Sequence, residues 1–188
     1  MLLLVLVLPV TALAQVPVAD VTQLLVERND DGVHLSATVR FDLPSVVEEA
    51  LAKGIPMFFV ADAAIYRDRW YWYDKRVSMA SRHMRLAFQP LTRRWRLQVS
   101  ANPIGNSGLV LGQSFDTREE ALAAVQRVSR WRIAELNEVE PETVHHVEFR
   151  FRLDMSQLPR PFQIGAVGQS EWNIAASRAV RLNPDHTK

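Results

Sequence analysis

"IPMFFVADAAIYRDRWYWYDKRV", residues 55–77, is the stretch on which the fold reading turns. Its odd positions run Met57, Phe59, Ala61, Ala63 and Ile65, all apolar, and then become charged at Arg67 and Arg69. The even positions change the opposite way, from Asp62, Tyr66 and Asp68 to Trp70 and Trp72. A strand alternates its side chains between two faces, so this segment would swap its buried face near Tyr66. One extra residue reverses the phase, and the pattern therefore predicts a β-bulge or bend between Tyr66 and Arg69. Tyr66, Trp70, Tyr73 and Val77 also fall at helical spacing. Aromatic enrichment and the strand-like run before them favour the strand.

The same stretch offers two readings of function. With the bulge, Trp70 and Trp72 pack inward, and the Arg and Asp side chains form cross-strand pairs on a wet face. Without it, the two Trp rings stand exposed near Arg67, Arg69, Arg94 and Arg96, a stacking and cationic platform. Those six residues are the candidate binding set. Between Tyr66 and Ser100 nine basic residues face two acidic ones, a net +7. The whole chain carries only +1, so the remainder sums to −6. Such a dipolar molecule suits an anionic glycan, a lipid headgroup, phosphate or an acidic protein surface.

Working outward, "DVTQLLVER" (20–28), the turn residues "NDDG" and "VHLSATVRFD" (33–42) predict a hairpin. In its second strand Val33, Leu35, Ala37, Val39 and Phe41 share one face. "LPSVVEEALAKG" predicts a helix over about 43–53, with Pro44 in its first turn and Lys53-Gly54 as its stop. "YDKR" (73–76) reads as a turn, "VSMASRHMRLAFQ" as the returning strand, "PLT" as another turn and "RRWRLQVSA" as the next strand. "FDTREEALAAVQRVSRWRIAEL" predicts a longer helix over about 116–135. Asp116 and Glu119 make its capping-box-like start, and Ala121, Ala124, Val125, Val128 and Trp131 its apolar face. "HHVEFRFRLD" (145–154) alternates again, with Val147, Phe149, Phe151 and Leu153 inward. "MSQLPRPFQIGAVGQSEW" (155–172) reads as an extended, proline-containing segment, and "NIAASRAVRL" (173–182) as a last strand. Strands dominate and no βαβ alternation occurs. The expectation is an α+β fold, a mostly antiparallel sheet or sandwich with two helices.

The chain has 188 residues, 48% of them hydrophobic, and no cysteine. Disulfides, thiol catalysis and cysteine-based metal sites are thereby excluded. The opening "MLLLVLVLPVTALAQ" is an apolar run ending in Ala12-Leu13-Ala14, the small-x-small mark of a secretory signal cleaved after Ala14. The usual positive start is missing, since the first basic residue is Arg28. An uncleaved membrane anchor is the competing reading, opposed by Pro9, Gln15 and Pro17 within a stretch barely long enough to span. The expected organisation is a signal over 1–14, one β-rich domain over 15–182 and a flexible tail over 183–188. The expected location is the periplasm, where nucleic acid is not a partner.

Catalytic spacing is lacking. Adjacent residues on a strand point to opposite faces, so His145 and His146 cannot both grip one metal. His34, His83 and His186 carry no ligand spacing, and Asp62, Asp68 and Asp74 suggest no common site. Neither a metal nor a cofactor is expected. Ser107 in "GNSG" lacks the nucleophile-elbow pattern, and "GNSGLVLG" lacks the lysine of a phosphate loop.

The segments "IYRDRWYWYDKRV", "RLAFQPLTRRWRL", "FDTREEALAAVQRVSRWRI" and "FRFRLDMSQLPRPFQIGAVGQSEWNI" together resemble a proteobacterial family of exported proteins described only as a domain of unknown function. Its members are often called proline-rich signal peptide proteins and are commonly encoded beside a membrane sensor histidine kinase of the nitrogen-regulation type. The resemblance implies export, a single domain and a role near envelope signalling; it supplies no catalytic residue. The leading expectation is a non-enzymatic binding or accessory module, with the periplasmic part of a sensor kinase or an anionic envelope ligand as its partner. A small periplasmic hydrolase or isomerase with a site near the Gly-rich loop 101–115 is the alternative, and a structural envelope component the third.

Overall fold

The structure, a computed structural model, describes residues 19–68, 74–105, 112–166 and 172–182. Two antiparallel sheets carry it. The first hairpin joins β1 (Ala19–Asn29) to β2 (Gly32–Phe41). Its turn requires Gly32, whose φ of +134° is open only to a residue without Cβ. A Cβ there would also lie 2.4 Å from the Ala134 carbonyl oxygen. Helix α1 (Ser45–Ala52) follows Pro44, whose carbonyl accepts from Val47 and Glu48. Then come β3 (Met57–Arg67), β4 (Lys75–Gln89), β5 (Arg94–Ser100) and β6 (Gly112–Phe115). Helix α2 (Arg118–Gln126) leads into β7 (Arg127–Ala134). The chain closes with β8 (His145–Leu153), α3 (Arg160–Ala166) and β9 (Ala175–Leu182). The small sheet has the order β1-β2-β7 and the large one β6-β5-β4-β3-β8-β9. The α+β class and the antiparallel pairing are as the sequence predicts.

The sheets pack face to face on one apolar core. Val33, Leu35, Ala37, Val39 and Phe41 of β2 are all buried, as are Val147, Phe149, Phe151 and Leu153 of β8. Phe41 of the small sheet meets Phe59 and Phe151 of the large one at ring-centroid distances of 5.6 and 5.4 Å. Side chains tie the two seams. Arg178 of β9 donates to the Val21 carbonyl at 2.9 Å, beside the register shift that leaves Thr22 out of the β1–β2 ladder. Ser78 of β4 donates to the Ile133 carbonyl of β7 at 3.1 Å.

Four expectations need correction. The second helix does not run over 116–135. It ends at Gln126, and residues 127–134 are strand β7. Its cap is Thr117, whose hydroxyl accepts from Glu120 N at 3.2 Å; Asp116 turns away to Arg94. Val128 and Trp131 mimic helical spacing for a specific reason. Opposite them, Ala37 and Leu35 are two residues apart on β2, so β7 holds one extra residue. Arg130, with φ +45°, lies in that bulge. Residues 155–172 are not simply extended: a 3₁₀ turn over Met155–Gln157 precedes α3, in which Pro161 costs no hydrogen bond because it sits in the first turn. Lys75 and Arg76 belong to β4 and not to a turn, and β6 is a short strand inside the Gly-rich connection.

Candidate functional site

The bulge expected in the strand between Tyr66 and Arg69 does not occur at Tyr66 or Arg67, and Arg69 lies outside the described residues; an irregularity sits instead on the neighbouring strand. β3 pairs with β8 without interruption through Ile65–Val147, Tyr66–His146 and Arg67–His145. Against β4 the register jumps from Ile65–Ser78 to Tyr66–Arg76, so Val77 is the additional residue. The jump keeps Val77 packed against the core and brings Arg76 to the outer face beside Tyr66. Without it, Arg76 would point inward.

The candidate residues are thereby separated. Arg67 pairs with Lys75 at one end of β4 and makes an ion pair with Glu140. Arg94 and Arg96 pair with Gln89 and Ala87 at the far end of the same strand. Those positions are a dozen residues apart, on the order of 40 Å at 3.3 Å per residue. Arg94 is also held by Asp116, Nε to Oδ1 at 3.0 Å. Arg96 is exposed and has no ion pair among the described residues. Arg69, Trp70 and Trp72 lie outside the described residues, as do residues 106–111 of the alternative loop 101–115. The cationic platform built from Arg67, Arg94 and Arg96 is therefore not assembled.

The outer face of the large sheet gathers a different set. Register alone defines its first row: Arg76, Tyr66, His146 and Arg181, one residue from each of β4, β3, β8 and β9. The Tyr66 and His146 rings stack at 5.1 Å with planes 13° apart. Arg76 donates to the Met79 sulfur at 3.5 Å, a weak acceptor that leaves its charge unneutralised. Farther along the face Asp62 accepts from Ser81 at 2.7 Å and pairs with Arg152. Arg150 pairs with Glu148 at 2.9 Å. Asp62, Arg150, Arg152 and Ser177 line an open groove of about 640 Å³, and Tyr66, Arg76, Glu148 and Arg150 a smaller hollow of about 100 Å³.

At the mouth of the β3–β4 hairpin Asp68, Asp74 and His146 converge. His146 Nδ1 lies 2.6 Å from Asp68 Oδ1, and one donor atom from each of the three falls within 4.8 Å of the others. The sequence reading found no common site for Asp68 and Asp74 and no metal grip at His146, because the grouping depends on β8 pairing with β3 and on the Val77 bulge. His145 faces the other way, buried, with Nδ1 2.8 Å from the Thr143 carbonyl. Burial pushes its imidazole below the ordinary value, opposed by that hydrogen bond and reinforced by the charges of Arg28 and Arg67. The neighbouring histidines thus split between two faces, as strand geometry requires.

Residues 17–182 match the model of a family described as "Domain of unknown function (DUF4390)". No curated protein and no solved structure matches the chain. Among the described residues no helix is long and apolar enough to cross a membrane.

Proposed function

We propose that this chain, which belongs to the DUF4390 family, is an exported, non-enzymatic binding module that holds an anionic partner on the outer face of its large sheet. The observation that carries this reading is the cross-strand row Arg76–Tyr66–His146–Arg181. Two guanidinium groups flank a stacked aromatic pair, and neither is neutralised by a carboxylate among the described residues. Guanidinium binds carboxylate and phosphate in a fork, and flat rings accept a planar or apolar portion beside it. The groove beyond the row continues the surface with Arg150 and Arg152, each already held by an acid and thus ordered in advance. Export rests on the apolar, small-x-small start. The accessory role, with the periplasmic part of a sensor histidine kinase as partner, rests on the family resemblance.

The test has two arms. Fractionation of cells making the chain with a C-terminal tag should place it outside the cytoplasm, shortened by about the length of a signal peptide. Retention of full-length chain in the cytoplasm removes the export reading. In the second arm the periplasmic domain of the neighbouring kinase is captured by the purified protein. Arg76→Glu with Arg181→Glu should abolish capture while the circular dichroism spectrum is unchanged. Capture by this double variant at the parent level excludes the row as the binding surface.

A further inference from the structure

We propose that Asp68, Asp74 and His146 form a binding site for a divalent transition metal ion of the zinc type. The site shares His146 with the anionic-partner row but does not depend on that reading. The residue after β3, the residue before β4 and strand β8 contribute one donor each. Asp68 follows the last residue of β3, and its backbone N–H donates to the Val144 carbonyl at 3.3 Å, which fixes it against the start of β8. Asp74 immediately precedes β4. The register jump at Val77 sets the phase of that strand end, so Asp74 faces the same side as Arg76, and therefore the same side as Asp68 and His146. The Tyr66 ring holds the imidazole plane from one side.

The chemistry of the set points to an ion rather than to a simple pair. One nitrogen and two carboxylate donors are the borderline mixture that zinc and its first-row neighbours take; calcium and magnesium favour oxygen alone. Asp68 and Asp74 flank the last pair of the ladder, Arg67–Lys75, which brings both carboxylates close to His146. Ligand atoms around a tetrahedral zinc lie roughly 3.4 Å apart at bond lengths near 2.1 Å. The three donor atoms lie within 4.8 Å of one another. Three protein donors leave further positions open to solvent, since Asp68 and Asp74 are both exposed.

Calorimetric titration of the full chain with zinc chloride at pH 7.5 tests the site. The expected result is saturable binding of one ion per chain. His146→Ala should weaken it at least tenfold, and Asp74→Asn, a change at an exposed hairpin position, by a similar factor with an unchanged melting temperature of the metal-free protein. His34→Ala removes the other His–Asp contact, His34 with Asp31, and should leave affinity unaltered. Absence of saturable binding by the parent chain overturns the proposal. So does binding that survives both His146→Ala and Asp74→Asn at parental affinity.

Discussion

The two faces of β3 teach different lessons although they belong to one strand. On the inner face Met57, Phe59, Ala61, Ala63 and Ile65 are fully buried and meet the small sheet. On the outer face the strand begins apolar, at Phe58 and Val60, and becomes polar at Asp62 and aromatic at Tyr66. Phe58 lies opposite Arg85, and Val60 lies between His83 and Arg152. Long cationic side chains cover apolar surface with their stems while their heads reach water or a partner. The inner face is therefore defined by volume, the outer face by charge and hydrogen bonding. Substitutions on the two should act through different quantities.

The largest effect belongs to the inner face. Phe59→Ala opens a cavity between Phe41 and Phe151 and should cost about 3–5 kcal/mol in urea unfolding. A loss below about 1 kcal/mol would show that the sheets do not pack through this trio. On the outer face, Asp62→Asn removes the charge that Ser81 and Arg152 share, with an expected cost of about 1–3 kcal/mol. Arg82 breaks the symmetry of the comparison. Its register partner is Ala61, which places it on the inner face, and its Nε is buried without a hydrogen-bond partner among the described residues. Burial lowers its pKa, as expected for a charge removed from water. Arg82→Met should raise stability by about 1 kcal/mol, because it exchanges a poorly satisfied charge for an apolar chain of similar length. A decrease would mean that the guanidinium is bound to something essential.

Smaller effects refine the boundary between the faces. Asp154 caps the 3₁₀ turn after β8. Its burial would raise the carboxyl pKa, but hydrogen bonds from the Ser156 hydroxyl and backbone and from Gln157, with the Arg152 charge, outweigh it and lower the value. A carboxyl depressed in the folded state stabilises it above the ordinary aspartate value of 3.8, and loses that contribution as pH falls through the lower folded value. Asp154→Asn should cost about 1 kcal/mol at pH 7 and little at the most acidic pH the fold survives, read from urea midpoints across an acid series. The smallest effect on stability, within about 0.5 kcal/mol, is expected for Arg76→Glu and Arg181→Glu. Their influence should appear in partner capture instead, which sharpens the division between a face that folds and a face that binds.

Alternation was readable wherever a strand stayed regular. β2 and β8 show their buried sets at a period of two, and both occupy the core as the pattern implies. β7 was hidden because a bulge inserts one residue between Val128 and Trp131 and converts a spacing of two into three, which one helical turn produces equally well. Val125, Val128 and Ile133 carried the available warning, since β-branched residues gather where the helix stops. The candidate site fared worse. Arg67, Arg94 and Arg96 are close in composition and remote in space, because β4 is long and β5 pairs only with its far half.

What the amino-acid sequence determined by itself was local: the buried face of each regular strand, the helix start near Thr117 and the splitting of His145 from His146. Those properties depend on neighbours within a few positions, and the chain writes them directly. Only the tertiary structure decided which strands lie side by side, and hence that Arg76, Tyr66, His146 and Arg181 form one row and that Asp68, Asp74 and His146 meet. Such contacts join residues up to 80 positions apart, from Tyr66 to His146. They are selected by the burial of the whole core and by one additional residue at Val77, a balance that no single segment contains.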